Sequence, residues 1–298
     1  MRPELVPCAL VLLTACATAP GSTKPPAMAG TPAATAGPRA AVPADDNLNA
    51  VLWTQLALEH DLVFTAIYRA AGEKLAAALA DPTWDALPPG ERDGPFDQLP
   101  PAVIVDLDET VLDNAPYQAL LVRTGDEYAE PSWAEWCRQE AASALPGALE
   151  FARGAVERGV TLFYISNRTV ALGPATLANL RKTGFPVTGD HTFLGLGTVV
   201  EGCQTTGSEK GCRRRLVGRG HRVLMQFGDQ LGDFVDVTLN TPAGREQSLA
   251  PYTKWIGERW WVLPNPTYGS WEPAVFGNDW KLSRDHRRQL KIDALRVN

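Results

Sequence analysis

Asp106 and Asp108, separated by Leu107 and followed by Glu109 and Thr110, stand directly after the apolar run Ala102-Val103-Ile104-Val105. Two carboxylates at this spacing suit a nucleophile beside an acid–base partner, with a hard cation to manage the charge. That combination is the equipment of phosphoryl transfer. An apolar run ending in turn-forming acids is also how an open α/β sheet presents chemistry at the carboxyl edge of its strands.

The surrounding pattern supplies the elements needed to position such a pair. A second apolar run, 160–165, ends at Ser166-Asn167-Arg168, and a third, 222–227, ends at Gly228-Asp229 with Asp233 close behind. Residues 193–199 read as a further short strand. Between these runs the spacing predicts helices over 132–142 (with Ser132 as N-cap), 146–158, 172–182 and from 210 to 217. One long helix is predicted over 46–80, where Leu48, Val51, Leu52, Leu56, Leu62, Val63, Ile67 and Leu75 recur at three- and four-residue spacings. A last helix is expected over 283–296, its basic run forming a solvated face. Strands alternating with helices specify an α/β fold, a doubly wound and mostly parallel sheet covered on both faces. In such a sheet all strands end on one edge, so Asp106, Asp108, Ser166, Asn167, Asp229 and Asp233 should converge, with Lys210 reaching in between the second and third runs. The tail from 239 is rich in Trp and Pro without clear periodicity, and its tryptophans read mainly as core.

With these residues assembled, the chain resembles the haloacid dehalogenase superfamily of phosphatases. Its members carry Asp-x-Asp-x-Thr, a Ser/Thr at a strand end, a Lys and a Gly-Asp-x-x-x-Asp run, in that order. More narrowly, it is similar to the class C acid phosphatases, bacterial outer-membrane lipoproteins that act as 5′-nucleotidases. The words that carry the likeness are Asp106-Leu-Asp-Glu-Thr-Val-Leu-Asp-Asn114, Pro116-Tyr117, Tyr164-Ile-Ser-Asn-Arg168, Gly228-Asp-Gln-Leu-Gly-Asp-Phe234 and Asn265-Pro-Thr-Tyr-Gly-Ser-Trp-Glu272. The resemblance implies a catalytic core over about 100–240, flanked by additions at 46–99 and 241–298. It implies an acid phosphomonoesterase whose substrates are nucleoside 5′-monophosphates and related small esters. Asp106 would be the nucleophile, forming an aspartyl-phosphate. Asp108 would be the general acid and then the base, a role worth roughly 10²–10⁴ in rate. Because Asp108 must first hold a proton, a mildly acidic optimum is expected.

The same resemblance implies Mg²⁺ as cofactor, held by the Asp106 carboxylate, the Asp108 backbone carbonyl and the Asp229 carboxylate, with Asp233 supporting it from behind. Ser166, Asn167 and Lys210 would hold the phosphoryl oxygens. Thr110 would fix the motif loop through hydroxyl–backbone bonding. Arg213 and Arg214 compete with Lys210 for the phosphate-binding role, whereas Arg168 and Asp236 read as structural. Trp133 and Tyr268 would stack on the base of a nucleotide, a contact worth roughly 1–3 kcal/mol, the other reading being packing. A phosphotransferase or sugar-phosphate phosphatase of the same superfamily is the alternative activity. A non-catalytic surface binding protein is a more distant one, which the intact set of Asp106, Asp108, Lys210 and Asp229 argues against.

The ends and the composition place this domain. Residues 1–16 resemble a bacterial lipoprotein signal, ending Leu13-Thr14-Ala15-Cys16, where Cys16 would be acylated and anchor the chain to a membrane. Residues 17–45 are Ala-, Pro-, Thr- and Gly-rich and read as a disordered tether, so the phosphatase domain would be 46–298. The expected location is the bacterial cell envelope, on the outer membrane, facing an extracytoplasmic space. The formal net charge of −6 argues against a general nucleic-acid polymer binder. No feature decides between a monomer and a homodimer. Of the 5 cysteines, Cys8 and Cys16 belong to the signal. In an oxidising compartment a Cys203–Cys212 bridge is favoured over three free thiols, and it would close the loop that presents Lys210.

Overall fold

The computed structural model describes residues 44–205 and 207–297. The signal, Cys16 and residues 17–43 of the expected tether lie outside them. The first half of the described chain runs α1 (Leu48–Leu56), α2 (Leu58–Ala80), β1 (Pro101–Val105), β2 (Leu112–Asp113), α3 (Ala115–Thr124), α4 (Glu130–Arg138), β3 (Ser143–Ala144) and α5 (Ala148–Glu157). The second half runs β4 (Thr161–Thr169), α6 (Gly173–Thr183), β5 (Phe193–Leu196), α7 (Gly211–Gly220), β6 (Arg222–Gly228), α8 (Pro242–Leu249), β7 (Trp260–Val262) and α9 (Arg284–Asp293).

The main sheet has the order β5-β4-β1-β6-β7, and every neighbouring pair is parallel. β1 lies at its centre because Ala102 to Val105 are apolar on both faces and fully covered. The faces separate with the two-residue period of a strand. Val103 and Val105, with Leu162, Tyr164 and Phe227, join Phe64, Tyr68 and Leu75 of α2 and Phe151 of α5 in the larger core. Ala102 and Ile104, with Phe163, Ile165 and Val223, join Val217 of α7, Leu87, Phe234 and Trp260 in the second core on the other face. The β1–β6 register slips between Ala102 and Val103, so that Val103 pairs with Met225 rather than Leu224. This irregularity puts consecutive Leu224 and Met225 into the same core.

Several elements depart from the sequence pattern. The predicted helix over 46–80 is two helices, broken at Ala57, which is extended at φ −81° and ψ 124°. The break lets α1 pack against α3 while α2 lies against α5. α4 begins at Glu130 rather than after Ser132. Pro131 sits in its first turn, and Ser132 lies inside the helix with its hydroxyl donating to the Ala129 carbonyl at 2.9 Å. Proline is pre-organised for a first helical turn and so starts the helix earlier. α3 lies in a segment without clear periodicity, and α8 and β7 lie in the Trp-rich tail. β7 is three residues long and pairs with the free edge of β6 through Gln226–Trp260 and Phe227–Trp261. Trp260 and Trp261 are core, whereas Trp271 and Trp280 stay substantially exposed. Among the described residues no helix is long and apolar enough to cross a membrane.

Candidate active site

Asp106 directly follows β1, and its backbone N–H continues the ladder by donating to the Phe227 carbonyl of β6 at 2.9 Å. The chain then turns sharply. The Leu107 carbonyl accepts from the N–H groups of Thr110, Val111 and Leu112, and Glu109 adopts the left-handed conformation at φ 57°. This turn carries Thr110 back over Asp106. Its hydroxyl donates to Asp106 Oδ2 at 3.2 Å, so it serves the nucleophile candidate itself and not the loop backbone, as its expected role had it. The Tyr68 hydroxyl of α2 holds the Thr110 carbonyl from below at 2.8 Å.

Lys210, immediately before α7, closes the other side of Asp106. Its ammonium donates to Asp106 Oδ1 at 2.5 Å, to Asp233 Oδ1 at 2.6 Å and to the Ile165 carbonyl at 2.9 Å. Burial alone would lower its pKa, but the two carboxylates outweigh that and raise it, so it is held protonated. The competing arginines are committed elsewhere. Arg213 spans the Ser166 carbonyl at 2.5 Å, Asn167 Oδ1 at 2.7 Å and the Ser208 and Glu209 carbonyls. Arg214 binds Glu91, Asp236 and the Gly232 and Asp233 carbonyls. Gly211 lies so close to Asp236 that a Cβ there would strike its carboxylate, and its N–H donates to Asp236 Oδ1 at 3.0 Å. That contact explains a glycine beside the lysine. Cys203 and Cys212 are disulfide-bonded with Cα atoms 5.6 Å apart, and Cys137 is a buried free thiol.

The acids that follow β6 complete the floor. Asp229 Oδ2 accepts from Gln230 Nε2 at 2.9 Å and from Asn265 Nδ2 at 2.8 Å. Asp233 Oδ2 accepts from the Gln230 N–H at 2.8 Å. One carboxylate oxygen from each of Asp106, Asp229 and Asp233 lies within 4.8 Å of the others. Three acids thus face one lysine in a buried place. Burial pushes Asp106 up to about 7 with Asp233 and Asp108 adding to it against Lys210, and burial with Asp233 and Asp106 raises Asp229 well above the usual carboxylate range. The surplus of clustered oxygen donors fits a hard divalent cation. Asp233 thus lies beside this cluster while also holding Lys210.

On the opposite side, Asp108 Oδ1 accepts from Asn114 Nδ2 at 2.9 Å and from Arg168 Nη2 and Nε at 2.7 and 3.0 Å. Its Oδ2 accepts from the Ser166 hydroxyl at 3.2 Å. Ser166 is fully buried beside it, and Asn167 next along is exposed, its side-chain oxygen taken by Arg213. Tyr268 donates its hydroxyl to Glu109, whose other oxygen accepts from the Asn114 N–H at 2.8 Å. Burial raises the Glu109 carboxyl well above its ordinary value, with Asp108 and Asp229 adding to the effect. Trp133 is 8% exposed. It packs on Tyr117 with ring centres 5.2 Å apart and lies under the Arg168 guanidinium at 5.4 Å, so its ring offers little free face. Sequence reasoning did not single out Glu109, Asn114, Gln230, Asn265 or the Arg168 contact with Asp108. Each lay within or beside a recognised word, but only the fold pairs them.

The arrangement can attack phosphorus from Asp106, hold phosphoryl oxygens near Lys210 and Ser166, and exchange a proton at Asp108. Comparisons with known proteins bear on the family and the fold. The class C acid phosphatase from Bacillus anthracis, solved with tungstate bound, matches with a TM-score of 0.73 at 33% identity, over 85% of this chain and 97% of that one. Acid phosphatase 1 of Solanum lycopersicum is 24% identical over 165 residues, 55% of this chain and 57% of its own length. A stem 31 kDa glycoprotein of Glycine max is 29% identical over 135 residues, 44% of this chain and 51% of its own. The chain spans about half the length of the curated relatives it matches. The family described as HAD superfamily, subfamily IIIB (acid phosphatase), matches residues 38–271. With a family model matching most of its length and a class C acid phosphatase sharing its fold at 33% identity, this chain belongs to subfamily IIIB of the HAD superfamily, the acid phosphatases.

Proposed function

We propose that this acid phosphatase hydrolyses nucleoside 5′-monophosphates and related small phosphate esters through an aspartyl-phosphate on Asp106, with Mg²⁺ as its cofactor. The single observation behind this is the buried Asp106 carboxylate, gripped at 2.5 Å by Lys210, with Asp229 and Asp233 in reach of a common cation. Mg²⁺ held by Asp106, Asp229 and the Asp108 carbonyl would supply charge neutralisation for the incoming phosphoryl group and the carboxylates around it. Lys210 and Ser166 bind and orient the phosphoryl oxygens. An Asp106 oxygen forms the new bond to phosphorus while the bond to the ester oxygen breaks. Asp108 delivers a proton to that leaving oxygen and then takes one from the water that hydrolyses the intermediate. Tungstate, an oxyanion like phosphate, bound in the Bacillus anthracis relative supports a site for phosphate. Tyr268, half-buried and tied to Glu109 beside Asp108, supports a flat leaving group lying against its ring. Acylation at Cys16 would hold the enzyme on the bacterial outer membrane, where stripping phosphate yields a neutral nucleoside that can be taken up.

Phosphate release from a panel of nucleoside monophosphates, sugar phosphates and aryl phosphates tests this. The panel is run with Mg²⁺, with chelator and with an acceptor alcohol. We expect nucleotides to lead the panel, chelator to silence it and Asp106→Asn to lose turnover while still binding phosphate. Turnover retained by Asp106→Asn contradicts the covalent route. Faster turnover of sugar phosphates, or transfer to the alcohol in place of hydrolysis, favours the rival activities.

A further inference from the structure

Arg168 is unaccounted for by the roles above, yet it is 1% exposed and its guanidinium faces Asp108. Nη2 and Nε donate to Oδ1 at 2.7 and 3.0 Å, and Asn114 Nδ2 adds a third bond to the same oxygen at 2.9 Å. Oδ2 has only the Ser166 hydroxyl at 3.2 Å and a long 3.3 Å contact to Arg168 Nε. The two oxygens of one carboxylate are therefore unlike: one is saturated with donors, the other points to the phosphate-binding serine. Arg168 is itself held on several sides. Nη1 reaches Thr176 Oγ1 at 3.4 Å, Nη2 reaches Asn114 Oδ1 at 3.3 Å, its backbone N–H donates to Ser166 Oγ at 3.0 Å, and Trp133 lies against its plane. Asn114 Oδ1 is fixed in turn by Trp136 Nε1 at 2.8 Å. A planar guanidinium on a carboxylate sets an orientation that a point charge cannot.

We infer that Arg168 is a positioning residue for leaving-group protonation: it anchors Oδ1 of Asp108 and presents Oδ2 as the oxygen that delivers the proton. In that step the phosphorus–oxygen bond to the leaving group breaks, its electron pair stays on the ester oxygen, and that oxygen takes the proton from Oδ2 as Asp106 bonds to phosphorus. This rests on the reading of Asp108 as the general acid.

The test compares kcat/KM for a nucleoside 5′-monophosphate, whose alkoxide needs a proton to leave, with 4-nitrophenyl phosphate, whose phenolate leaves without one. Misplacing a catalytic group by about 1 Å costs on the order of 10²-fold. Arg168→Met should therefore lose about that much on the nucleotide and far less on the nitrophenyl ester, with Arg168→Lys recovering part of the difference. Asp108→Asn, run alongside, should show the same selectivity at roughly 10²–10⁴-fold. If Asp108→Asn is selective and Arg168→Met loses equally on both esters, Arg168 is only structural and the inference is overturned while the mechanism stands. If Asp108→Asn is itself unselective, the mechanism falls and the inference falls with it. Circular dichroism checks folding. Should Arg168→Met not fold, Arg168→Lys carries the same comparison, since it keeps the charge but loses the fork, and equal losses there overturn the inference.

Discussion

Lys210 donates to Asp106, Asp233 and the Ile165 carbonyl, yet its single charge balances only one of the carboxylates around it. The remaining charge is what a divalent ion would relieve. It also makes the metal-free protein sensitive to pH. An unfolded aspartate loses its proton near pH 3.9, whereas buried Asp106 loses it at about 7. Between those values the folded chain holds a proton that the unfolded chain lacks, so stability falls as pH rises through that window. Melting in chelator should give a higher Tm near pH 5 than near pH 8, and Mg²⁺ should narrow the gap by stabilising the ionised cluster. At about 100 times its Kd the ion adds roughly 2.7 kcal/mol. A chelated protein that melts later at pH 8 would contradict this account. At this scale the aspartates and Lys210 were legible because their words are local. The partnership of Arg168 with Asp108 was not, since the two stand 60 residues apart and nothing in either neighbourhood encodes the other.

Among the elements, the loop leading into α7 has the most to hold in place. It must deliver Lys210 beneath the end of β4, and it is tied there by Arg213 to the Ser166 carbonyl and by the Cys203–Cys212 bond. The cysteines are 9 residues apart in sequence, and closing so short a loop stabilises the chain by roughly 2–3 kcal/mol. Replacing both cysteines with alanine should cost about that much in a urea melt. It should also raise KM several-fold with a smaller change in kcat, because the lysine is less well pre-organised for phosphate. An unchanged KM in the folded variant would show that Arg213 alone suffices. Strand and helix types were mostly readable here, because apolar period and turn residues are local signals. Boundaries were less so: the chain breaks at Ala57, where packing against α3 outweighs periodicity, and α4 starts a turn early at Glu130, where the stereochemistry of Pro131 does.

Across the whole molecule, Phe227 joins the parts. Fully buried in β6, it stacks on Tyr68 of α2 at 5.2 Å, on Trp261 of β7 at 6.2 Å and meets Phe151 of α5 at 4.6 Å. It stands two residues before Asp229. Phe227→Ala should cost roughly 3–5 kcal/mol of stability, and by loosening the end of β6 it should weaken Mg²⁺ binding measured by titration calorimetry. Full metal affinity in a destabilised variant would separate the core from the site. The basic face of α9 is largely solvated, as expected, and also ion-paired. Arg284 and Arg288 reach Asp45 and Asp46, Lys291 reaches Glu272, and Arg287 is buried against Glu127. The helix thereby ties the start of the described chain to its tail.

What the amino-acid order determined by itself was the alternation of buried strands and helices and the acids and serine at their ends, because each is written in a few adjacent residues. The common strand direction then obliges those ends to meet on one edge. What only the tertiary structure decided was which side chains grip which. Arg168 on Asp108, Tyr268 on Glu109, Asn265 on Asp229 and the short strand β7 all depend on surfaces created by distant segments. Trp260 to Val262 is a strand only because the free edge of β6 offers it a partner, and β7 in turn places the following loop so that Asn265 and Tyr268 reach the site.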